Sequence, residues 1–195
     1  MLKTIVTLIM YLFIVTPLLA QSSDISDSTY YSQIPDYPRS YTAGSVASRM
    51  VDGLGFRFYW ATDGLRPEDL QFKPGDDART VSETVDHIFE MSYLVVNAIN
   101  KESQYPPSDL SFAQKRLLTL SNLRKASEVI RNSSDKDLEG YAIKFGNGTE
   151  LPFWNLINGP ISDALWHCGQ IVSFRRLSGN PFNSYVSLLN GRLRK

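Results

Sequence analysis

The chain has 195 residues, 20 Lys and Arg against 20 Asp and Glu, two histidines and one cysteine, for a formal net charge of zero. That balance leaves no basic excess to hold a phosphate backbone, which excludes nucleic acid as the main partner. One cysteine cannot close an internal disulfide, so stability must come from packing.

The chain opens "MLKTIVTLIMYLFIVTPLLAQ": an early Lys3, an apolar run from Ile5 to Val15, a break at Pro17 and a small residue at Ala20. This is the order of a secretory signal and predicts a signal peptide over residues 1–20, cut after Ala20. The run is marginally long enough to anchor in a membrane. Pro17 and the polar stretch that follows favour cleavage, with no stable membrane insertion afterwards. No cysteine follows the apolar run, so the lipoprotein pattern is absent. An exported protein, periplasmic or extracellular, is the expectation, and what remains is long enough for one domain with a real core.

Residues 21–41, rich in Ser, Asp, Tyr and Pro, lack periodicity and read as an extended leader. From Thr42 to Leu65, Val46, Met50, Leu54, Phe58, Ala61 and Leu65 recur at helical steps. Gly53 and Gly55 weaken this first helix and suggest close helix contact. "RPEDLQFKPGDDAR" reads as a loop. Thr80 and Glu83 then form a capping box for a second helix, with Val81, Val85, Ile88, Ser92, Val95 and Ile99 on one stripe. The tandem prolines of "SQYPPSD" end it. Ser111, with Gln114 three residues on, opens a third helix through Leu117, Leu120, Leu123 and Ile130. "LEGYAIKFGNGTEL" alternates around a Gly-Asn-Gly turn and predicts a small hairpin or ordered loop. The last helix is expected over about Pro152 to Ser178, kinked or restarted at Pro160 with Asn158 as a cap, and closed by Ser178-Gly179-Asn180-Pro181. The expected class is all-α, an up-down four-helix bundle over residues 42–182 with a tail at 183–195.

Two helices carry candidate ligands. Asp163 and His167 are four residues apart and share a helix face; His87 lies midway along the second helix. Facing helices can bring these three together in a bundle core. Two imidazoles and one carboxylate are a catalytic rather than structural ligand count, leaving positions for water or substrate. The same spacing also suits a local ion pair between Asp163 and His167. Glu83 and Glu90, one turn either side of His87, are further ligand or supporting candidates, although capping and solvation account for both. Cys168 is about 100° round the helix from His167 and reads as a packed thiol. Trp60, Trp154 and Trp166 read as core or pocket wall.

"TVSETVDHIFEM" on the second helix and "PISDALWHCGQIVSFRRLSGNP" on the last resemble the DinB/YfiT-like family of metal-binding four-helix bundles. The likeness spans roughly Ser45 to Asn180. In that family a histidine of the second helix joins a His-x-x-x-His pair that runs into "RGQ". Here His87 matches the first ligand and His167 the last, followed by Cys168-Gly169-Gln170, while Asp163 stands where the family has histidine. The resemblance implies a divalent metal, zinc or nickel first, with manganese or iron as further options. It implies transfer of small thiols or isomerisation of their adducts, on a small-molecule substrate. Export away from cytosolic thiols moves metal-assisted hydrolysis forward. A noncatalytic binding module with a degenerate site is the alternative, and a homodimer is left open.

Overall fold

The computed structural model describes residues 29–101 and 103–195. The expected signal peptide and the first part of the leader lie outside the described residues.

Hydroxyl caps start three of the long helices. Thr42 Oγ1 accepts the Ser45 N–H at 3.0 Å and opens α1, Ala43–Thr62. Thr80 Oγ1 accepts from Glu83 N–H at 3.1 Å and opens α3, Val81–Asn100, while Glu83 reaches back to the Thr80 N–H at 2.7 Å. Ser111 and Gln114 repeat the arrangement at α4, Phe112–Arg131. Each such cap contributes about 1 kcal/mol. The segment read as a loop after α1 contains a short helix, α2, Pro67–Gln71, and a further one, α5, Asp135–Glu139, follows α4.

The expected hairpin is present: β1, Ala142–Lys144, pairs antiparallel with β2, Glu150–Pro152, with Ile143 opposite Leu151. The chain then enters α6, Phe153–Leu156, a π turn over Ile157–Ile161, and α7, Ser162–Leu177. The restart expected as one option at Pro160, with its Asn158 cap, needs correction. The helix neither restarts there nor uses Asn158 as a cap. It widens, so that the Ser162 N–H reaches Ile157 O five residues back, and the Ser162 hydroxyl bonds the same carbonyl at 2.7 Å. Widening accommodates a residue that has no N–H to donate and whose ring crowds the preceding turn. The helix closes as expected, with Gly179 at φ +79° just past Ser178.

The architecture is all-α. Helix α1 packs against α4 and α7, and α3 packs against the same two. Val51, Leu54 and Phe58 of α1, Val85, Ile88 and Val95 of α3, Leu120, Leu123 and Ile130 of α4, and Ile171 of α7 form one buried cluster. Each such side chain removed from water stabilises the fold by about 1.5–3 kcal/mol.

The outer face of α1 is covered too. Phe56 and Trp60 pack with Val186, Ile34 and Phe182, and the residues expected as a tail form a small hairpin of β3, Val186–Ser187, and β4, Arg192–Leu193. The Ile34 N–H donates to Gly191 O, and the Trp60 indole N–H donates to Ser32 O. Tyr31 is fully buried over Gly55, where an added Cβ would lie 2.5 Å from its ring. The close approach at Gly55 is therefore by the leader and not by a neighbouring helix. Tyr31 also donates to Asp52, a buried carboxylate that accepts from Ser127 at 2.5 Å and Arg131 at 2.8 Å.

Long-range polar ties fix the end of α7 to the end of α1. The Arg175 guanidinium donates to Trp60 O, Ala61 O and Asp63 O, at 3.3, 3.1 and 2.7 Å, supplying charge where the helix carbonyls lack partners. Asp69 of α2 accepts from Arg66 through its backbone and guanidinium, from the Ser178 hydroxyl at 2.7 Å and from the Asn180 amide at 2.6 Å. These donors hold its carboxyl far below the usual carboxylate range, the Arg66 side chain foremost.

Candidate metal centre

His87 lies in the second turn of α3, seven residues into a helix whose start the Thr80–Glu83 box fixes. Asp163 and His167 lie at the beginning of α7, one turn apart and just after the π turn. The packing of α3 on α7 brings the three side chains together. His87 Nε2 is 2.7 Å from Asp163 Oδ2, and His167 Nε2 is 3.4 Å from Asp163 Oδ1. The two imidazole rings meet edge to face at 4.7 Å between centroids. One ligand atom from each residue falls within 4.8 Å of the others, so the group could hold a metal ion.

The donor chemistry fits a divalent cation. His167 Nδ1 is 2.6 Å from Gln170 Oε1, a contact that favours the tautomer in which Nδ1–H donates to the amide oxygen. In the neutral ring Nε2 then presents a lone pair toward Asp163 Oδ1. Two acceptors facing each other need positive charge between them, either a proton on Nε2 or a cation. Tetrahedral binding at about 2.1 Å sets donor separations near about 3.4 Å. His167 Nε2 is 3.4 Å from Asp163 Oδ1 and His87 Nε2 is 2.7 Å from Oδ2. With a single carboxylate oxygen as donor the three ligand atoms lie within 4.8 Å of one another, so the side chains would draw together around an ion. Asp163 is 39% exposed, His87 22% and His167 14%, leaving one side of the cluster toward solvent.

Gln170 is the contributor that sequence reasoning missed. It stands three residues after His167 on the same helix face, a spacing readable in "HCGQ". Histidine ligands are commonly fixed this way, by a hydrogen bond on the ring nitrogen away from the metal.

The other candidates fall outside the cluster. Glu83 is committed to the Thr80 cap, whose backbone N–H lowers its pKa, and Glu90 is exposed. Cys168 is buried, and burial pushes its thiol up to about 12, which removes it as a nucleophile near neutral pH. Trp60 is core, as expected. Trp154 and Trp166 are exposed, at 73% and 74%, so neither is buried in the core.

No family model matches the chain, and no curated protein matches it.

Proposed function

We propose that this is an exported DinB-like protein, an up-down four-helix bundle that binds one divalent metal through His87, Asp163 and His167 and acts as a metal-dependent hydrolase. The observation that carries the metal site is the convergence of three ligand atoms within 4.8 Å, from helices 76 residues apart in sequence. The pairwise packing of four long helices in a ring supports the bundle, and the order of the ligand-bearing helices supports the resemblance. Export rests on Lys3, the apolar run and Ala20. Among the described residues no helix is long and apolar enough to cross a membrane.

A bound divalent ion supplies Lewis-acid polarisation of a substrate oxygen or thiol. The protein's part is to present two neutral nitrogens and one charged oxygen. Asp163 offsets one of the two cationic charges, and Gln170 holds His167 with Nε2 inward. The solvent-facing side of Asp163 is where substrate would approach. Two imidazoles with a carboxylate suit zinc and nickel, and the same set is found with iron and manganese. Thiol transfer is the competing chemistry, favoured by the resemblance alone.

One observation favours a noncatalytic module. The 2.7 Å His87–Asp163 contact is a good hydrogen bond without any ion. Metal analysis of protein recovered from its native compartment separates the two readings. The expected result is one zinc or nickel per chain. No uptake after Zn²⁺, Ni²⁺, Mn²⁺ and Fe²⁺ are each offered would leave the triad as an ion pair and remove the hydrolase reading. An intact mass that begins at Gln21 checks the export step, and a full-length mass in the membrane fraction contradicts it.

A further inference from the structure

A second cavity lies away from the metal cluster. It is a groove of about 700 Å³ between the start of α1, α5 and the α6 entry, and none of His87, Asp163 and His167 lines it. Small-molecule sites commonly fall between about 300 and 1,000 Å³, mostly apolar with a few polar groups that orient the ligand. Val46 and Met50 of α1, Leu138 of α5 and Phe153 of α6 give this groove its apolar walls. Tyr41 and Trp154 also line it, and they are 96% and 73% exposed. Exposing two large aromatics over an apolar floor is costly to solubility and is a recognised mark of a binding surface.

The polar complement has one sign. Asp135 and Glu139, one turn apart on α5, are the charged residues of the lining, and no Lys, Arg or His joins them. Other carboxylates nearby are committed: Asp137 accepts from the Ser134 backbone and hydroxyl. Among the described residues neither Asp135 nor Glu139 has a hydrogen-bonding or ion-pair partner, although both are exposed. The opposing influence is the N-terminal end of α1, which also borders the groove at Thr42 and Ala43. A helix N-terminus carries about half a positive charge, partly taken up here by the Thr42 cap, against two full negative charges. Lys136 and Lys101 also act on α5, where both lower the Asp137 pKa, but neither lines the groove. The charge presented to a ligand inside it is that of the two carboxylates.

We propose that this groove binds an amphipathic organic cation, with an apolar chain or ring system on the Val46–Met50–Phe153 floor and an ammonium head held by Asp135, Glu139 and the two aromatics. An ammonium gains from aromatic faces as well as from carboxylates, and tryptophan is the strongest aromatic partner. An anion of the same shape would gain from neither.

The test compares two probes with the same tail and opposite heads, decyltrimethylammonium and decanoate, each below its micellar concentration and titrated calorimetrically into the purified protein. The expected result is saturable binding of one decyltrimethylammonium, at least tenfold tighter than decanoate. The paired change Asp135→Asn with Glu139→Gln should bring the two probes within threefold of each other, and Trp154→Ala should weaken the cation at least fivefold. These residues are on the surface, and unchanged helicity and an unchanged melting temperature check that each variant is folded. Raising NaCl from 50 to 500 mM should shrink the preference in the unaltered protein, a readout that needs no variant. Equal or tighter binding of decanoate would overturn the proposal, as would no binding of either probe. Self-association abolished by Trp154→Arg would also overturn it, because the occupant would then be a second copy of the chain.

Discussion

Two aspartates, Asp69 and Asp163, each sit where separate helices meet, and their surroundings differ in kind. Asp69 is wholly buried and accepts five hydrogen bonds, from the Arg66 N–H, two nitrogens of its guanidinium, the Ser178 hydroxyl and the Asn180 amide. Asp163 is 39% exposed and faces two imidazole nitrogens, one of which presents a lone pair when Gln170 holds the proton on the other side of its ring. A carboxylate saturated by donors is complete and ties the fold together. Asp163 is satisfied on its His87 side, by a 2.7 Å hydrogen bond, and faces an acceptor on its His167 side, where a cation or a proton would complete it. Asp52, with Tyr31, Ser127 and Arg131 around it, belongs with Asp69.

The comparison is broken most directly at Asp69. Asp69→Ala removes the acceptor shared by the Ser178 hydroxyl and the Asn180 amide and releases α2 from the end of α7. Unfolding by urea should therefore show a loss of about 1–3 kcal/mol, the range for leaving such polar groups unpaired. The pH dependence follows from the depressed pKa. The folded carboxyl titrates below its unfolded value of about 3.9, so its contribution is complete above that value and is lost as pH falls toward the folded pKa. Asp69→Asn should therefore flatten the acid limb of the stability profile. A loss under about 1 kcal/mol in Asp69→Ala would mean that the network is replaceable by solvent, as exposed pairs are.

Asp163→Ala should do the reverse. The residue is partly exposed, and its removal leaves the apolar core untouched, so stability without metal should change by less than about 1 kcal/mol. Metal affinity should fall at least about 100-fold, because two histidines alone hold a divalent ion weakly. Asp163→His should keep binding, with preference moved toward metals that favour nitrogen. Wild-type affinity in Asp163→Ala would make the residue an ion-pair partner only.

Gln170→Ala sharpens the contrast further. The ring of His167 would lose the bond that sets its tautomer, and affinity should drop about tenfold, the lower end for such supporting groups. Melting temperature without metal should hold. A fall in stability with unchanged metal affinity would assign Gln170 to the fold instead.

What was readable from the sequence is what local spacing controls. The Thr80–Glu83 and Ser111–Gln114 boxes act over three residues, and Asp163 with His167 over four, so helix geometry alone places them. The pairing with His87 required only that the two helices face each other. Asp69 was not readable, because Ser178 and Asn180 reach it across more than 100 residues. Tyr31 over Gly55 was hidden for a similar reason: the leader has no period, and nothing local says which glycine it covers. Pro160 was readable as a disturbance, a kink or a restart, but not as the single widened turn over Ile157–Ile161 that keeps the helix going just before Asp163.

The smallest effect on metal binding is expected at Cys168, which adjoins His167 in sequence and takes no part in the His87–Asp163–His167 cluster. Its thiol is buried in the core cluster, and burial alone drives its pKa to about 12, with only a weak opposing effect from Arg57. At neutral pH the reactive thiolate is therefore negligible. Cys168→Ser should leave metal affinity and any turnover near wild type. It should cost about 1–2 kcal/mol of stability, because a hydroxyl in an apolar site lacks hydrogen-bond partners. The native protein should react with a thiol reagent only as fast as it opens, and adding urea should raise that rate in step with unfolding. Fast modification of the folded protein, or complete loss of turnover in a folded Cys168→Ser, would place the sulfur at the site and make Asp163 only part of its chemistry.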